Sequence, residues 1–145
     1  MSDSPNAQSI SRAVILGAGT MGNGIAQVCA QAGMQVVLFD INDDAVATGL
    51  ANIKRMLAKA VEKGKASSED VAATMSRLST STDLIASCEG AQLVVEAIPE
   101  KLELKQSVMA QIESAVADDC LIASNTSSLS ITKISAGMNH PQRFL

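Results

Sequence analysis

Aromatic side chains are almost absent from this chain of 145 residues, which has no tryptophan, no tyrosine and only two phenylalanines. Proteins that bind single-stranded nucleic acid stack bases on aromatic rings, so that kind of surface is excluded here. The net charge is −4, and the eleven basic residues are scattered along the chain. A nucleic-acid partner would require basic residues clustered on one face. We therefore predict no nucleic-acid binding.

Cysteine is scarce as well, because Cys29, Cys88 and Cys120 are the only three and lie far apart without a Cys-x-x-Cys spacing. A disulfide framework needs pairs, and a structural zinc site needs closely spaced ligands, so neither is predicted. We expect all three thiols to pack as small apolar groups in a reducing cytoplasm. No metal site is predicted elsewhere in the sequence.

Charge is missing from residues 13–39, a stretch long enough to suggest a transmembrane helix. Five glycines within it and a regular polar repeat argue against that interpretation. The polar repeat predicts the exposed face of a surface helix: Asn23, Gln27, Gln31 and Gln35. An apolar repeat predicts the opposite, buried face: Met21, Ile25, Val28 and Ala32. We therefore predict no membrane association.

What the chain does have is a glycine-rich loop between an apolar run at residues 13–16 and a helical stretch from Asn23. The loop reads Gly17-Ala18-Gly19-Thr20-Met21-Gly22. In such a setting the first glycine permits a tight turn, the second lets the backbone approach a pyrophosphate, and the third lets helix and strand pack closely. The helix N-terminus adds free N–H groups and a partial positive charge. This order predicts a dinucleotide-binding site.

An acidic residue, Asp40, ends the next apolar run and determines which dinucleotide is expected. A carboxylate at that position accepts hydrogen bonds from the adenosine ribose hydroxyls and repels a 2'-phosphate. We therefore predict NAD rather than NADP as the cofactor. The alternative is that Asp40 only caps the helix beginning near Asn42, since acids are common at helix starts. Both interpretations can hold together.

Strands and helices alternate along the chain, which predicts an α/β fold with a Rossmann-type, doubly wound parallel sheet in a single domain. Residues 1–11 are expected to form a flexible tail and residues 12–145 an NAD-binding domain. The predicted strands lie near residues 13–16, 36–39, 80–82, 92–97 and 121–123. The predicted helices lie between the first two strands and near residues 42–64, 67–78, 102–116 and 130–136.

Three segments occur in an order and at intervals that indicate a family: GAGTMGNGIAQ at residues 17–27, VVEAIPE at 94–100 and SNTSSL at 124–129. From Arg12 onward the sequence resembles the 3-hydroxyacyl-CoA dehydrogenases, particularly the bacterial 3-hydroxybutyryl-CoA dehydrogenases. The resemblance implies a role in fatty acid metabolism, with NAD-dependent, reversible oxidation of an L-3-hydroxyacyl-CoA to the 3-ketoacyl-CoA. An acyl-CoA is thus the implied substrate.

The resemblance also assigns cofactor contacts to matching residues. Residues 17–22 would hold the pyrophosphate and Asp40 the adenosine ribose. Glu100 and Lys105 match positions on the nicotinamide side of the cofactor. A simpler alternative for Glu96 and Glu100 is that both are polar groups around a turn that contains a proline.

Substrate contacts are implied in the same way. Ser127 matches a catalytic serine that contacts the nicotinamide and substrate region, where its hydroxyl can hydrogen-bond the reacting oxygen. The alternative for Ser127 and Ser128 is a turn or helix-capping role. Lys63 or Lys65 is similar in placement to a lysine that meets the coenzyme A phosphates. Both lysines also suit the C-terminus of a helix as ordinary cations.

The chain departs from the family in its final segment. Members of the family continue into a Gly-x-His-Phe-Phe-Asn-Pro stretch, whose histidine is the catalytic base, and then into a helical domain that completes the substrate site and the homodimer. We expect this chain to lack both. Its one histidine, His140, lies in a turn-like Asn-His-Pro context and is not expected to replace that base. Little or no turnover is therefore expected from this chain alone.

Two alternative functions stay open at the level of sequence. One is another β-hydroxyacid dehydrogenase, of the 3-hydroxyisobutyrate or 6-phosphogluconate type, which begins with a similar glycine loop. Asp40 and the SNTSSL segment weigh against it. The other alternative is a non-catalytic NAD-binding or interaction module, which an apolar patch near the C-terminus would favour.

Overall fold

The fold, in a computed structural model that describes residues 10–126, 131–139 and 141, is built on one parallel sheet. Its strands are β1 (Arg12–Leu16), β2 (Gln35–Phe39), β3 (Leu78–Ser81), β4 (Leu93–Glu96) and β5 (Leu121–Ser124). They lie in the order β3-β2-β1-β4-β5, and every neighbouring pair is parallel. The predicted Rossmann-type sheet is confirmed.

Helices follow the strands in alternation. They are α1 (Thr20–Gln31), α2 (Asp43–Glu62), α3 (Ser68–Ser76), α4 (Leu84–Ser87), α5 (Leu102–Ala115) and α6 (Ile131–Ile134), which continues into a 3₁₀ turn (Ser135–Gly137). The predicted elements are confirmed with shifts of at most three residues at their ends. One further helix, α4, was not predicted, because its four residues are too few to produce a helical repeat in the sequence. Among the residues described, no helix is both long enough and apolar enough to cross a membrane.

Local hydrogen bonds determine where two of the helices begin. The side chain of Asn42 accepts a hydrogen bond from the N–H of Ala45 (2.8 Å) and caps α2. Ser67 and Asp70 form a reciprocal capping box at the start of α3, as their spacing predicts. The hydrogen bonds with Ser67 lower the pKa of the Asp70 carboxyl group.

Apolar residues cover both faces of the sheet, which is why its central strands are continuous apolar runs. One face packs against α5 and includes Val14, Val94 and Ile122. The opposite face packs against α1 and α2 and includes Ile15 and Leu38. The three cysteines are free thiols buried within these clusters, so their predicted packing role is confirmed. Burial, with a smaller contribution from Cys120, raises the pKa of the Cys88 thiol to about 11.

The buried face of α1 differs from the one that its apolar repeat predicts. Met21 and Val28 are 58% and 65% exposed, whereas Asn23 is buried. The residues that are buried in α1 are small or short: Gly22, Asn23, Ala26, Cys29 and Ala30. At Gly22 the reason is distance, because α1 lies so close to the preceding turn that a Cβ would overlap the carbonyl oxygen of Gly17. The prediction is therefore wrong for Met21, Asn23 and Val28 and for the exposed Ala32, whereas Gln31 is exposed and Ile25 packs against the core as predicted.

Gly22 and Gly24 of α1 provide a matched test of this close packing. A Cβ on Gly22 would lie 1.6 Å from the carbonyl oxygen of Gly17, whereas a Cβ on Gly24 would have no atom within 4 Å. We expect Gly22→Ala to lower the free energy of unfolding by about 3 kcal/mol or more, because backbone must move. Gly24→Ala is expected to raise it by roughly 0.5–1 kcal/mol, because alanine favours the helix. Urea unfolding of both variants measures the difference, and equal effects would contradict the packing described.

Candidate cofactor site

The carboxyl ends of β1, β2 and β4 meet at one edge of the sheet and border a cavity of about 840 Å³. β1 lies between β2 and β4, so the chain leaves β1 toward one side of the sheet and later returns to its other side. Such a reversal of strand order opens a crevice beyond the strand ends, where nucleotides bind in folds of this type. The lining includes Gly17, Gly19 and Asp40 from the predicted site and Glu100 from the loop after β4.

The first glycine of the loop is held between the ends of two strands. Gly17 has a φ of +106°, and a Cβ there would lie 2.5 Å from the carbonyl oxygen of Ala97. The N–H of Gly17 donates to the carbonyl oxygen of Phe39 (2.8 Å), and the N–H of Ala97 donates to that of Leu16 (2.8 Å). The tight turn that the sequence predicts is therefore a close contact between the ends of β1, β2 and β4.

The middle glycine of the loop faces open space. A Cβ on Gly19 would have no atom within 4 Å, and Gly19 is the N-cap residue of α1. Gly19 has no side chain with which to cap the helix, and among the described residues the first-turn N–H groups are therefore available to a ligand. Thr20 and Met21 line the cavity beside it. Free N–H groups with the partial positive charge of a helix N-terminus bind phosphates, so this loop fits the diphosphate of a dinucleotide.

Asp40 follows β2 directly and lies against the glycine loop. Its Oδ2 accepts a hydrogen bond from the N–H of Ala18 (2.8 Å), and its Oδ1 accepts one from the N–H of Ile41 (2.7 Å). The residue that caps α2 is Asn42, so the alternative in which Asp40 caps this helix is wrong. Asp40 is half-buried and lines the cavity, where a carboxylate can meet the ribose of a bound nucleotide.

The side chain of Asn23 also holds the glycine loop in place, a role that the sequence did not predict. Nδ2 of Asn23 donates to the carbonyl oxygen of Ala18 (3.3 Å), and its Oδ1 accepts from Nδ2 of Asn52 (2.9 Å). Arg55 in turn donates to Oδ1 of Asn52. Ala18 is therefore held through both of its backbone polar groups. The sequence carries no signal for this role, because Asn23 belongs to a polar repeat that predicts an exposed face.

A buried ion pair lies on the other side of the crevice. Glu96 ends β4 and Lys105 lies near the start of α5, and both are 0% exposed. Their charged groups are 2.6 Å apart. Glu96 also accepts hydrogen bonds from the N–H of Ile98 (2.8 Å) and the hydroxyl of Ser124 (2.6 Å). Glu96 is therefore not a surface group around a turn, and its extra hydrogen bonds offset the loss of water that a buried pair suffers.

The two residues predicted on the nicotinamide side, Glu100 and Lys105, contact each other. Nζ of Lys105 lies 2.9 Å from Oε1 of Glu100 and 3.3 Å from the carbonyl oxygen of Ile98. With Glu96, these acceptors match the three hydrogens of the ammonium group. The Glu100 side chain is 39% exposed, lines the cavity and accepts a hydrogen bond from the hydroxyl of Thr126 (2.8 Å). The cofactor contacts of both residues stay predictions.

The lysines that were matched to coenzyme A lie at the far end of α2. Lys63 is the exposed C-cap residue of this helix. Gly49 of the same helix packs against Ala18 of the glycine loop. Lys63 follows Gly49 by fourteen residues, which corresponds to about 21 Å along a helix. The structure therefore does not bring Lys63 to the glycine loop, and its substrate contact stays a prediction.

Three residues named from the sequence, Ser127, Ser128 and His140, lie outside the described residues. Their assignments therefore stay predictions as well. The described part of the same segment does reach the site, because Asn125 lines the cavity and its N–H donates to the carbonyl oxygen of Glu96 (2.8 Å).

Comparison with known proteins decides among the candidate families. Residues 12–145 match the family model described as 3-hydroxyacyl-CoA dehydrogenase, NAD binding domain. The chain belongs to this family. NAD is accordingly the cofactor, as Asp40 predicts, and the alternative of a 3-hydroxyisobutyrate or 6-phosphogluconate type of dehydrogenase is not supported.

Relatives agree with this assignment. The chain is 40% identical to a probable 3-hydroxybutyryl-CoA dehydrogenase of Bacillus subtilis over 94% of its own length and 47% of the relative. It is 38% identical to the fatty acid oxidation complex subunit alpha of Idiomarina loihiensis over 93% of its length and 19% of the relative. The crystal structure of 3-hydroxybutyryl-CoA dehydrogenase from Escherichia coli K12 matches with a TM-score of 0.91 and 38% identity, over 94% of this chain and 29% of that one. The chain spans about half or less of the length of these family members.

The buried pair beside the crevice leads to a stability prediction, for which Lys101 is the matched control. Lys105 is fully buried, whereas Lys101 is exposed at the start of the same helix. Lys105→Met leaves the buried Glu96 without its ion-pair partner, and we expect it to lower the free energy of unfolding by about 3–5 kcal/mol. Lys101→Met is expected to change it by less than about 0.5 kcal/mol. Urea unfolding at neutral pH compares the two, and a small effect for both would contradict the buried pair.

Proposed function

We propose that this chain supplies the cofactor-binding half of a dehydrogenase that interconverts an L-3-hydroxyacyl-CoA, in particular 3-hydroxybutyryl-CoA, and the 3-ketoacyl-CoA. The observation that carries the proposal is the crevice, where an uncapped helix N-terminus, the open face of Gly19 and the carboxylate of Asp40 border one cavity. The acyl-CoA substrate is supported by relatives described as 3-hydroxybutyryl-CoA and 3-hydroxyadipyl-CoA dehydrogenases, each 40% identical to this chain.

The adenosine half of the cofactor would be held by the loop and by Asp40. The N–H groups at the start of α1 are proposed to bind the pyrophosphate, which approaches closely because Gly19 has no side chain. Asp40 is proposed to accept hydrogen bonds from the ribose hydroxyls. Its contact with the N–H of Ala18 supports this role, because it holds the carboxylate beside the loop.

The nicotinamide half would lie toward Glu100 and the segment after β5. NAD held there would supply the hydride acceptor for oxidation of the substrate carbon that bears the hydroxyl group. Ser127 is proposed to hydrogen-bond the oxygen on that carbon. The hydroxyl proton requires a base tuned near neutral pH, for which histidine is the usual residue. In family members, by the resemblance, that histidine lies in the Gly-x-His-Phe-Phe-Asn-Pro segment, and it is not assigned to His140.

Other parts of the proposal concern the whole protein. Lys63 is proposed to meet the coenzyme A phosphates, with a plain helix-terminal role as its alternative. The full-length enzyme is proposed to contain a helical domain and to form a homodimer. A cytoplasmic location is proposed on the ground that the three cysteines are free, buried thiols.

Asp40 provides the test of cofactor choice. We expect Asp40→Ala to weaken NADH binding by about tenfold to a hundredfold, because hydrogen bonds to a charged group are lost. NADPH binding should weaken less or improve, because the repulsion of the 2'-phosphate is removed. Titration of NADH and NADPH, followed by cofactor fluorescence, measures both affinities.

A matched control for this change is Asp44→Ala, which removes an exposed carboxylate from the first turn of α2. We expect the control to leave the preference for NADH unchanged. If Asp40→Ala also leaves it unchanged, Asp40 does not bind the ribose.

Turnover provides the test of the proposed reaction. We expect the 145-residue chain to bind NADH but to reduce acetoacetyl-CoA little or not at all. A protein that joins this chain to the histidine-containing second half of the family should reduce it with NADH. In that protein Ser127→Ala is expected to lower kcat by about a hundredfold, because a hydrogen bond to the reacting oxygen is lost. Substantial turnover by the 145-residue chain, or an unchanged kcat for Ser127→Ala, would contradict these roles.

A further inference from the structure

Five residues beside the crevice form a closed ring of hydrogen bonds, to which Thr126 contributes both its hydroxyl and its backbone N–H. Glu96 accepts from Nζ of Lys105 (2.6 Å), which lies 2.9 Å from Oε1 of Glu100. Oε2 of Glu100 accepts from the hydroxyl of Thr126 (2.8 Å). The N–H of Thr126 donates to the hydroxyl oxygen of Ser124 (3.1 Å), and that hydroxyl donates to Oε1 of Glu96 (2.6 Å). The ring therefore returns to the residue from which it starts.

Strand register explains how the ring closes. Glu96 and Ser124 are the last residues of β4 and β5 and are direct partners in the parallel ladder. Partners in register project to the same face of a sheet, so the hydroxyl meets the carboxylate. Lys105 and Glu100 connect this pair to α5 and to the loop before it. The ring thus joins two strand ends, one helix and two loops.

Stability alone does not account for an ion pair at this place. A buried pair can often be replaced by apolar side chains without loss of stability, because the desolvation of both charges offsets their attraction. What a fully hydrogen-bonded polar network provides is one defined arrangement of its members. Only part of the ring borders the cavity. Glu100 is one of the lining residues, and so is Asn125, which lies between Ser124 and Thr126 in the sequence.

We infer that Glu96 and Ser124 are positioning residues, which fix Glu100 and the backbone at Asn125 and Thr126 on the nicotinamide side of the crevice. Glu96 does so through Lys105, and Ser124 does so through the N–H of Thr126. Lys105 links the two carboxylates, because its ammonium group contacts both Glu96 and Glu100. The inference rests on the proposed function, because it takes the nicotinamide to lie beside Glu100.

Two ligands separate this role from a merely structural one. NADH contains the nicotinamide, whereas ADP-ribose has the same adenosine, pyrophosphate and second ribose without it. We expect Ser124→Ala and Thr126→Val to weaken NADH binding by about three- to tenfold, the effect of one lost hydrogen bond. Binding of ADP-ribose should change by less than about twofold, because the glycine loop and Asp40 are untouched. Calorimetric titration of the 145-residue chain measures both affinities.

A conservative substitution and a distant one serve as controls. Thr126→Ser keeps the hydroxyl and is expected to retain the NADH affinity that Thr126→Val loses. Ser114→Ala removes an exposed hydroxyl of α5 that donates to the carbonyl oxygen of Gln111 in the same helix, and it should alter neither affinity. Thermal unfolding of each variant accompanies the titrations, so that a loss of folded protein is not mistaken for a loss of binding.

The outcomes separate this inference from the function on which it rests. A selective loss of NADH affinity in both variants, restored in Thr126→Ser, supports it. Equal losses for NADH and ADP-ribose, or no loss for either, would overturn the positioning role while the cofactor site stands. If the unaltered chain binds neither ligand, the proposed function fails and the inference fails with it.

Discussion

A contact between backbones that leaves no room for side chains determines the rest of this structure. α1 rests on the turn at Gly17, where a Cβ on Gly22 would lie 1.6 Å from a carbonyl oxygen. The same turn packs against the end of β4, because a Cβ on Gly17 would lie 2.5 Å from the carbonyl oxygen of Ala97. Because helix, turn and strand end touch, the N-terminus of α1 lies where the strand order reverses. The crevice and the position of the glycine loop beside it both follow from this contact.

The same contact explains why most of the fold could be predicted and one helix face could not. Buried parallel strands and glycine spacing are local patterns, so the order of elements and the position of the loop were predictable. The buried face of α1 depends on how near the helix lies to its neighbours, which hydrophobic periodicity does not report. Met21 and Val28 are therefore exposed although their spacing predicts burial.

In the site, the contacts that could be predicted from the pattern of strands and helices are those within one βαβ unit. Asp40 follows from its position at the end of β2, next to the glycine loop. Glu96 could not be assigned in this way, because its partners lie 9 and 28 residues away and meet it only once the register of β4 and β5 is known. Asn23 is a similar case, since its contact with Asn52 depends on the packing of α1 against α2.

The two sides of the crevice are therefore held by different physical means. On the side of the glycine loop the constraint is steric, and only glycine satisfies a position where a Cβ would overlap a carbonyl group. On the side of Glu100 the constraint is a set of hydrogen bonds, which several combinations of hydroxyl, carboxylate and ammonium groups can satisfy. A steric requirement with one solution leaves a fixed motif in the sequence. A hydrogen-bond requirement acts differently. Glu96, Glu100, Ser124 and Thr126 lie within the VVEAIPE and SNTSSL segments, but which of them bond to one another becomes visible only in three dimensions.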